Sequence, residues 1–412
     1  MKKILLISLG SRGDCEPFVG IGEMLRAKGE KVVCSFPEQY RSIAEENGFE
    51  FHSLGSEFLN LINSEDGKVA LSGKGFAKFI ATIKIGKDSM KIQNELLRRQ
   101  LAIMEELKPD IIIRHSKVLA ALPYSLVNGA KSIFLALQPG LFHELEDIPS
   151  IGFDFLPPKW SYKLMRFAVT KSISMAVNQC FKGKISKKQI KSALLEEPAI
   201  YGVSAALFPQ PANWDKAKTL VAGFWDREKA SNYTPDAQLA AFIQQHPKIL
   251  LLTFGSMTNS NPRATSELFI DILQELGIPA IINTSGGGLI EPESYNTELI
   301  TFTQSIPYDW VFPQVYATIH HGGAGTVHSS LRAGCATMAI PHIADQPLMN
   351  RLINKNGTGP LGPAIGKLNK QQLKQQIEDL FTNVGYKAQA QNIAAKMNAE
   401  NFSEELYEFV VG

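Results

Sequence analysis

The chain has 412 residues, of which 44% are hydrophobic and 20% charged, and its formal net charge is only +2. This composition excludes an intrinsically disordered chain, and the balance of charge argues against a dedicated nucleic-acid binder. A single hydrophobic core does not keep growing to this length, so we expect two domains. No apolar run in the sequence approaches the roughly 18–20 residues that a membrane-spanning helix needs.

The cysteines are far apart and form no CxxC pair: they are Cys15, Cys34, Cys180 and Cys335. This spacing argues against a zinc site and against a disulfide framework, and we expect a reducing, cytoplasmic setting. At the amino terminus, the apolar run Ile4–Leu9 stops at Gly10, too early for the core of a signal peptide. That run predicts a first β-strand instead.

The first half of the chain alternates between apolar runs and segments with helical spacing. Helices are predicted at Phe18–Lys28 and from about Gly73 to Leu107, and strands at Ile4–Leu9, Lys31–Ser35, Asp110–Arg114 and Ser132–Leu137. Alternation of this kind indicates a parallel sheet covered by helices.

The second half repeats this alternation, with a helix at Thr265–Leu276, another after Gly325, and strands at Ile249–Phe254, Ala280–Asn283, Ala317–His320 and Thr337–Ile340. We therefore expect an α/β protein with two doubly wound units, one over residues 1–212 and one over residues 213–395. The prolines at 209 and 211 and the aperiodic stretch 223–235 predict a linker near this boundary. A last helix is expected within 396–412, and the sequence leaves open which unit it packs on.

A glycine-rich turn follows the strand at Ala317–His320 and opens a helix, with the sequence His321-Gly322-Gly323-Ala324-Gly325-Thr326. Glycines let the backbone approach an anion, and the NH groups and dipole of a helix start provide positive potential. A hydroxyl and an imidazole add hydrogen-bond donors. The segment predicts a phosphate-binding site, although a tight connection between strand and helix produces the same glycine pattern.

The next predicted strand is followed by the loop Pro341–Gln346. Both loops then leave the sheet at its carboxyl edge, where ligands bind in open α/β sheets. The carboxylate of Asp345 and the amide of Gln346 suit the hydroxyls of a sugar. A helix cap is the alternative role for Asp345.

The segment 159–191 contains nine Lys or Arg residues and no Asp or Glu, and aromatic residues are interleaved with them. A solvated basic face on helices is one interpretation. Peripheral contact with anionic lipid, or contact with an anionic substrate, is another, because basic amphipathic helices bind membrane surfaces. We do not expect nucleic acid as a partner.

Motifs at both ends of the chain resemble those of the inverting GT-B glycosyltransferases of the UDP-glycosyltransferase superfamily. Gly10–Pro17 is similar to the amino-terminal loop of the branch that contains sterol glucosyltransferases and antibiotic-modifying glycosyltransferases. The donor-domain motifs of the family are matched in order by Phe254–Met257, Ser305–Pro313, His321–Thr326 and Asp345-Gln346. The resemblance implies a GT-B fold, in which two Rossmann-like domains face each other across a cleft.

The resemblance also implies roles in binding a nucleotide sugar, a UDP- or TDP-hexose, as cosubstrate. Asp345 and Gln346 would hold the sugar hydroxyls, the backbone of Ile306 would meet the base, and the pyrophosphate would contact Ser256, His321, Gly323, Ala324, Gly325 and Thr326. Ser305 and Ser329 depart from the plant branch, which has a stacking aromatic residue and a ribose-binding glutamate there. The choice between uridine and thymidine therefore stays open.

Catalysis requires a base, because an acceptor hydroxyl must lose its proton as it attacks the anomeric carbon. Asp14 lies where plant relatives carry the histidine of a His-x-x-Pro loop, in the loop that also contains Ser11, Arg12 and Gly13. Asp14 is therefore the candidate base, and its alternative role is a helix N-cap, which Ser11 could also provide. His115 follows the strand Asp110–Arg114, where it either faces Asp14 and shares its proton or has a structural role.

No acidic pair with metal-ligand spacing and no DxD motif is present in the sequence. We expect no metal and no further cofactor, since a helix start and His321 can stabilise the leaving diphosphate. A lipophilic acceptor is expected from the resemblance and from Phe142, Phe153, Phe155 and Trp160. Rival interpretations are a sugar-nucleotide epimerase, a lipid-linked N-acetylglucosamine transferase and a noncatalytic nucleotide-sugar or lipid-binding protein.

Overall fold

The structure is a computed structural model that describes residues 1–64, 75–153, 155–181, 184–226, 233–259, 261–343 and 345–412, without the side chains of 62, 63 and 75–90. Parts of four predicted segments lie outside the described residues: the first two residues of the helix 73–107, residues 182–183 of the basic segment, 227–232 of the linker, and Ala344. Within the described ranges, none of the helices combines the length and the apolar character needed to cross a bilayer.

The first compact unit consists of Met1–Ala205, Pro209–Glu228 and Asn401–Gly412. Its core is a parallel sheet with the strand order β3-β2-β1-β4-β5-β6-β7. The strands are β1 Lys3–Ile7, β2 Lys31–Phe36, β3 Glu50–Ser53, β4 Ile111–Arg114, β5 Lys131–Ala136, β6 Ala199–Tyr201 and β7 Thr219–Val221. The strands predicted in this half are confirmed to within two residues at their ends.

The helices of this unit cover both faces of the sheet. They are α1 Arg12–Ala27, α2 Arg41–Glu45, α3 Glu57–Asn63, α4 Gly75–Leu107, α5 Ala121–Asn128, α6 Pro158–Cys180, α7 Lys187–Glu196 and the last helix, Ser403–Val411. Alternate residues of β1 face opposite layers, as expected for a strand buried on both sides: Ile4 packs with Phe18 of α1, and Leu5 with Leu122 of α5.

The predicted start of the first helix at Phe18 is wrong, since α1 begins at Arg12. Asp14 accepts a hydrogen bond from the backbone of Ser11, which closes a capping box and extends the helix into the glycine-containing loop. Arg12, Gly13 and Asp14 therefore lie in the first turn of α1 rather than in a free loop.

Strands β3, β6 and β7 were not expected from the sequence. Each is three or four residues long, too short for a period-2 pattern to be distinct. Strand β7 adds to the first sheet by pairing with β6, Ala199 opposite Thr219. The contacts therefore assign Pro209–Glu228 to the first unit, although the predicted boundary lies at 212.

The second unit consists of Ala206–Phe208 and Lys229–Glu400. It contains a parallel sheet with the order β10-β9-β8-β11-β12, formed by β8 Leu250–Thr253, β9 Ala280–Asn283, β10 Ile300–Thr303, β11 Ala317–His320 and β12 Ala336–Ala339. Its helices are α8 Ala237–Gln245, α9 Pro262–Leu276, α10 Tyr308–Val311, α11 Ala324–Arg332, α12 Gln346–Lys355, α13 Lys370–Thr382 and α14 Val384–Ala399. The predicted strands are confirmed here, and only β10 was not expected.

The last helix, α15 Ser403–Val411, packs on the first unit. Leu406 and Val410 are fully buried in the core that contains α1, and Lys131 donates hydrogen bonds to the carbonyls of Phe409 and Val410. The structure thereby divides the predicted segment 396–412, because α14 runs to Ala399 within the second unit.

In both sheets the strand order reverses next to the strand that comes first in the chain. In the first unit, β1 lies between β2 and β4, and in the second, β8 lies between β9 and β11. At such a reversal the connections leave toward opposite faces, so that a crevice opens at the carboxyl ends of the two central strands. The residues that follow β1 and β4, and those that follow β8 and β11, therefore lie at these crevices.

A buried ion pair lies near the carboxyl end of β4. Arg114 donates from Nε to Oε1 of Glu197 at 2.7 Å and forms a second bond through its terminal nitrogen, and both side chains are almost fully buried. Ser132 donates to the same Oε1 at 2.5 Å. The ring of Phe134 lies 5.2 Å from the guanidinium carbon. Among the described residues, Arg114 is the cationic side chain that is paired with the carboxylate of Glu197.

Replacing Arg114 with Met should destabilise the first unit by about 3–5 kcal/mol, because Glu197 would be left as a buried charge without its partner. The double variant Arg114→Met/Glu197→Leu should recover most of that loss, since an apolar pair of similar volume carries no desolvation penalty. Urea denaturation followed by circular dichroism measures both. A double variant as unstable as the single one would contradict this account.

Candidate active site

Asp14 lies in the first turn of α1, after the carboxyl end of β1. Its Oδ2 accepts hydrogen bonds from Ser11, from the backbone nitrogen at 2.6 Å and from the hydroxyl at 3.0 Å. Ser8 fixes the same residue from the other side by donating to its backbone carbonyl at 2.5 Å. Ser11 is therefore the N-cap residue, and Asp14, at the third position of the helix, closes the capping box with only one of its two carboxylate oxygens.

The other oxygen of Asp14 faces His115. His115 directly follows β4, and its Nε2 lies 3.4 Å from Oδ1 of Asp14. The imidazole is 4% exposed and packs edge-on against Phe18, with ring centroids 6.4 Å apart. The adjacency of β1 and β4, with Ile7 paired to Arg114, is what brings the two residues together. The structure thus places a carboxylate beside an imidazole at the crevice of the first unit.

Lys117 is a third member of this cluster, and the sequence analysis did not include it. Its Nζ lies 3.5 Å from Oδ2 of Asp14, and its side chain is largely exposed. Lys117 comes three residues after the end of β4, so its position at the carboxyl edge of the strand was the one available signal. Arg12 and Gly13 are exposed in the first turn, where Arg12 pairs with Glu16 at 3.0 Å.

The charges around the cluster keep Asp14 ionised. Burial acts to raise the pKa of Asp14, but Lys117, His115 and the two bonds from Ser11 outweigh it and hold that pKa below its ordinary value of 3.8. Burial lowers the pKa of His115 to about 4, against the opposing effect of Asp14. At neutral pH the pair is therefore a carboxylate beside a neutral imidazole.

Gly10 is required for this arrangement. Its φ is +150°, and a Cβ at this position would lie 2.1 Å from Oδ2 of Asp14 and 2.7 Å from Nζ of Lys117. Any side chain would therefore displace the carboxylate from its ammonium partner. This clash explains why the first position of the amino-terminal motif is a glycine.

In the second unit, the glycine-rich segment after β11 forms the start of α11, with Gly323 as its N-cap residue and Ala324, Gly325 and Thr326 in the first turn. The first NH groups of a helix have no acceptor within the helix and carry its positive dipole end. Gly323 provides no side chain that would accept from them. The helix start therefore keeps the donors that an anion requires.

His321 is buried between this helix start and the turn after β8. A Cβ at Gly323 would lie 2.4 Å from its Nε2, and a Cβ at Gly255 would lie 3.2 Å from its Cε1. Gly323 is thus needed for the imidazole to fit, and Gly255, whose φ is +56°, packs closely against the same ring. Ser256, the next residue of the β8 turn, is exposed.

Two further residues shape the Gly255-Ser256 turn, and no role in the site was predicted for either of them from the sequence. Gly286, after β9, has φ +80°, and a Cβ there would lie 2.1 Å from the carbonyl oxygen of Gly255. Tyr308 has its hydroxyl 3.0 Å from that of Thr253, at the end of β8. Three loops at the carboxyl edge of the sheet therefore converge on the Gly255-Ser256 turn.

The imidazoles of this edge are neutral. Burial lowers the pKa of His320 and His321 to about 3 and that of His342 to about 4. Within the described part of the chain, Nε2 of His320, Nδ1 of His321 and Nε2 of His342 are buried without a hydrogen-bond partner. Without a bound anion, His321 can therefore donate a hydrogen bond but contributes no charge, and the positive potential comes from the backbone.

Asp345 and Gln346 begin α12, after β12. Oε1 of Gln346 accepts bonds from the backbone nitrogens of His342 at 2.7 Å and Ile343 at 3.0 Å, so this side chain holds the loop. Asp345 occupies the N-cap position without a side-chain cap bond to the helix, and it is half-buried. Asp345 thus has the N-cap position that its alternative role predicts, but not the side-chain bond of a cap.

The resemblance implies nucleoside contacts at two places in the second unit: at residues 305 and 306, just before α10, and at residue 329, on α11. Ile306 is buried among the apolar residues beside α8 and α10, which leaves only its backbone for a ligand, whereas Ser305 is exposed. Ser329 donates from its hydroxyl to the carbonyl of Gly325 at 3.0 Å, one turn earlier in α11. The hydroxyl of Ser329 is therefore bonded to the backbone of its own helix, at the place where the resemblance implies a glutamate in the plant branch.

Among the described residues, no cluster of three or more His, Cys, Asp or Glu side chains is arranged to hold a metal ion. The four cysteines are free thiols, and three of them, Cys15, Cys34 and Cys335, are buried.

The buried imidazoles predict that the second unit loses stability in mild acid. The pKa values of His320, His321 and His328 are lowered to about 3 and that of His342 to about 4, all mainly by burial. Their stability contribution is therefore complete above the unfolded value of 6.5 and is lost as the pH falls toward the folded values. When the pH falls from about 7.5 to about 5, each of these imidazoles should lower the free energy of unfolding by about 2 kcal/mol.

Urea titrations at both pH values, followed by hydrogen exchange of β8 and β11, measure this loss. His328→Gln should reduce the pH dependence by one imidazole's share, because His328 is buried on α11 with Nδ1 bonded to the carbonyl of Ala324. Equal stability of the wild-type unit at the two pH values would contradict the neutral assignment.

Comparison with known proteins supports the same family as the motifs. Residues 296–411 match the model of the erythromycin biosynthesis protein CIII-like C-terminal domain. The chain is 26% identical to a sterol 3-beta-glucosyltransferase of Arabidopsis thaliana, covering 97% of this chain and 63% of the relative. It is also 26% identical to a sterol 3-beta-glucosyltransferase of Saccharomyces cerevisiae, covering 97% of this chain and 34% of the relative. The chain thus spans between one third and two thirds of the length of these relatives.

Solved structures agree in fold over nearly the whole chain. The glycotransferase of kitacinnamycin superposes with a TM-score of 0.71 at 15% identity, covering 99% of this chain and 98% of that one. The calicheamicin glycosyltransferase CalG4 superposes with a TM-score of 0.71 at 16% identity, covering 99% and 97%. Together with the two parallel sheets, these matches show the GT-B fold, and the sequence relatives and the matched domain model support a place in the UDP-glycosyltransferase superfamily.

Proposed function

We propose that this protein is an inverting, metal-independent glycosyltransferase that moves a hexose, most simply glucose, from a UDP- or TDP-sugar to a hydroxyl group of a lipophilic acceptor. The observation that carries the proposal is the pair formed by Asp14 and His115 at the crevice of the first unit. The open helix start at Gly323, with His321 beside it, supports the donor half of the proposal.

In this proposal Asp14 is the general base. The acceptor hydroxyl gives its proton to the carboxylate while its oxygen forms a bond to the anomeric carbon, and the bond from that carbon to the nucleoside diphosphate breaks. Direct displacement inverts the anomeric configuration, so an α-linked donor yields a β-glycoside. Neutral His115, with Nε2 3.4 Å from Oδ1, is placed to share the proton that Asp14 receives.

The start of α11 would bind the diphosphate of the donor. Its NH groups and dipole stabilise the charge that develops as the diphosphate departs, which is the task a divalent ion performs in other transferases. A bound diphosphate would favour protonation of His321, whose ordinary role here is that of a neutral donor. Asp345 and Gln346, at the start of α12, would bind the sugar hydroxyls.

The relatives support the chemical classes of both substrates. Two matched relatives are named sterol 3-beta-glucosyltransferases, which favours a lipophilic alcohol as acceptor and glucose as the sugar. One structural neighbour, the glycosyltransferase VinC, was solved in complex with dTDP, with a TM-score of 0.64. Since Ser305 and Ser329 replace the residues that plant relatives use for the nucleoside, we propose that both UDP- and TDP-hexoses be tested.

The two halves of the proposal are separated by two substitutions. Asp14→Asn should keep the affinity for UDP and TDP but lower turnover by about 100-fold or more, because the amide cannot accept the proton. His321→Ala should lower the affinity for both diphosphates, because it removes a donor beside the helix start. Calorimetry with UDP and TDP measures binding, and an acceptor screen in EDTA measures turnover.

Other outcomes would select the rival functions. Turnover of Asp14→Asn equal to that of the wild type would reassign the base, and activity that requires added Mg²⁺ would contradict metal independence. Consumption of the nucleotide sugar without any acceptor would indicate an epimerase. Diphosphate binding without turnover on any acceptor would favour a noncatalytic binding protein.

Lys117 should control the pH dependence of the reaction. Because Lys117 lowers the pKa of Asp14, Lys117→Met should raise that pKa. The base must be ionised, so activity is lost as the pH falls through its pKa, and the acid limb of the kcat profile should move to higher pH in the variant. Lys216→Met, an exposed lysine elsewhere in the unit, is the matched control. An unmoved acid limb would show that Asp14 does not set it.

A further inference from the structure

The outward face of α6, Pro158–Cys180, exposes a row of large apolar side chains. Trp160, Leu164 and Phe167 are 61%, 39% and 65% exposed, and Phe155, just before the helix, is 77% exposed. Their spacing of four and three residues places the three helical members on one face of the helix. We call Phe155, Trp160, Leu164 and Phe167 the apolar stripe.

The apolar stripe is not what attaches α6 to the protein. The opposite face of the helix buries Tyr162, Ile173, Ala176 and Val177 against the first unit. Exposed large apolar residues scattered singly are common, but a contiguous row on one helix indicates a surface that meets another phase or molecule.

The charged side chains of α6 beside the apolar stripe are all basic, whereas Asp154 directly precedes Phe155 in the sequence. Lys159, Lys163 and Lys171 are exposed on the same helix, and Nζ of Lys163 lies 5.0 Å from the ring centre of Trp160. The segment 159–191 contains no Asp or Glu. Glu144 faces α6 from a neighbouring loop, where it lies 3.9 Å from Arg166. The surface thus combines tryptophan and phenylalanine rings with lysines whose long side chains can reach outward.

We propose that the apolar stripe and its three lysines dock this protein onto the surface of an anionic lipid bilayer. Aromatic rings and leucine insert at the boundary between headgroups and acyl chains, while lysines contact the headgroup phosphates. The combination of apolar and basic groups provides the two binding terms that interfacial helices use. This inference goes beyond the proposed function and uses none of its catalytic or donor-binding residues. It shares Phe155 and Trp160 with the aromatic residues from which a lipophilic acceptor is expected.

The test is cosedimentation of the full chain with vesicles of phosphatidylcholine alone and with vesicles in which part of that lipid is replaced by phosphatidylglycerol. We expect binding to the anionic vesicles at low salt and weaker binding as salt is added. Lys163→Glu/Lys171→Glu should weaken binding by about fivefold or more for each lysine. Trp160→Ala/Phe167→Ala should weaken it by about tenfold or more.

Control variants reverse the charge of two other lysines or remove two other exposed apolar side chains. Lys216→Glu/Lys396→Glu changes the net charge equally, and Leu126→Ala/Val127→Ala removes two apolar side chains that are 45% and 42% exposed on α5. Both controls should bind anionic vesicles as the wild type does. UDP and TDP binding, measured on each variant, verifies the fold and keeps the result independent of the proposed transferase activity.

Three outcomes would overturn the proposal. One is the absence of binding to anionic vesicles at low salt. Another is an equal loss of binding in the control variants, which would indicate a general charge effect. The third is concentration-dependent self-association that Trp160→Ala/Phe167→Ala abolishes while vesicle binding is absent, which would make the surface an interface between copies of this chain.

Discussion

The reversal of strand order beside β1 and beside β8 is the constraint on which both candidate sites depend. Because the two strands at the reversal send their connections to opposite faces of the sheet, their loops separate and leave a crevice. In the first unit these loops carry Asp14 and His115, and in the second they carry Ser256 and His321. Residues far apart in the chain thus meet because two strands are hydrogen-bonded neighbours.

Each unit uses that crevice for a different kind of charge. The first holds a fixed negative charge, since Ser11 and Lys117 stabilise the carboxylate of Asp14 and burial keeps His115 neutral. The second carries its positive potential on backbone NH groups, because its imidazoles are buried and neutral. A backbone dipole needs no proton to remain positive, so it keeps its sign across the range of pH in which histidine titrates.

Glycines make both sites possible by bringing backbone close to reactive side chains. Gly10 lets the Asp14 carboxylate lie against the chain, and Gly255 and Gly323 enclose the ring of His321. A Cβ at Gly10 or Gly323 would overlap these side chains, whereas a Cβ at Gly29 or Gly277, after the ends of helices, would meet nothing within 4 Å. The glycines of these motifs therefore leave space for the carboxylate of Asp14 and the imidazole of His321, in addition to any contact they make with a ligand.

The sequence by itself determined the alternation of strands and helices, the parallel sheets, the glycine-rich helix start and the family, because these follow from local periodicity, turn chemistry and motif order. Only the tertiary structure decided the rest. The short strands β6 and β7, the assignment of α15 to the first unit and the contact of Lys117 with Asp14 depend on partners distant in the chain. The same holds for the neutral state of His321, since burial is a property of the packed structure and leaves no mark on neighbouring residues.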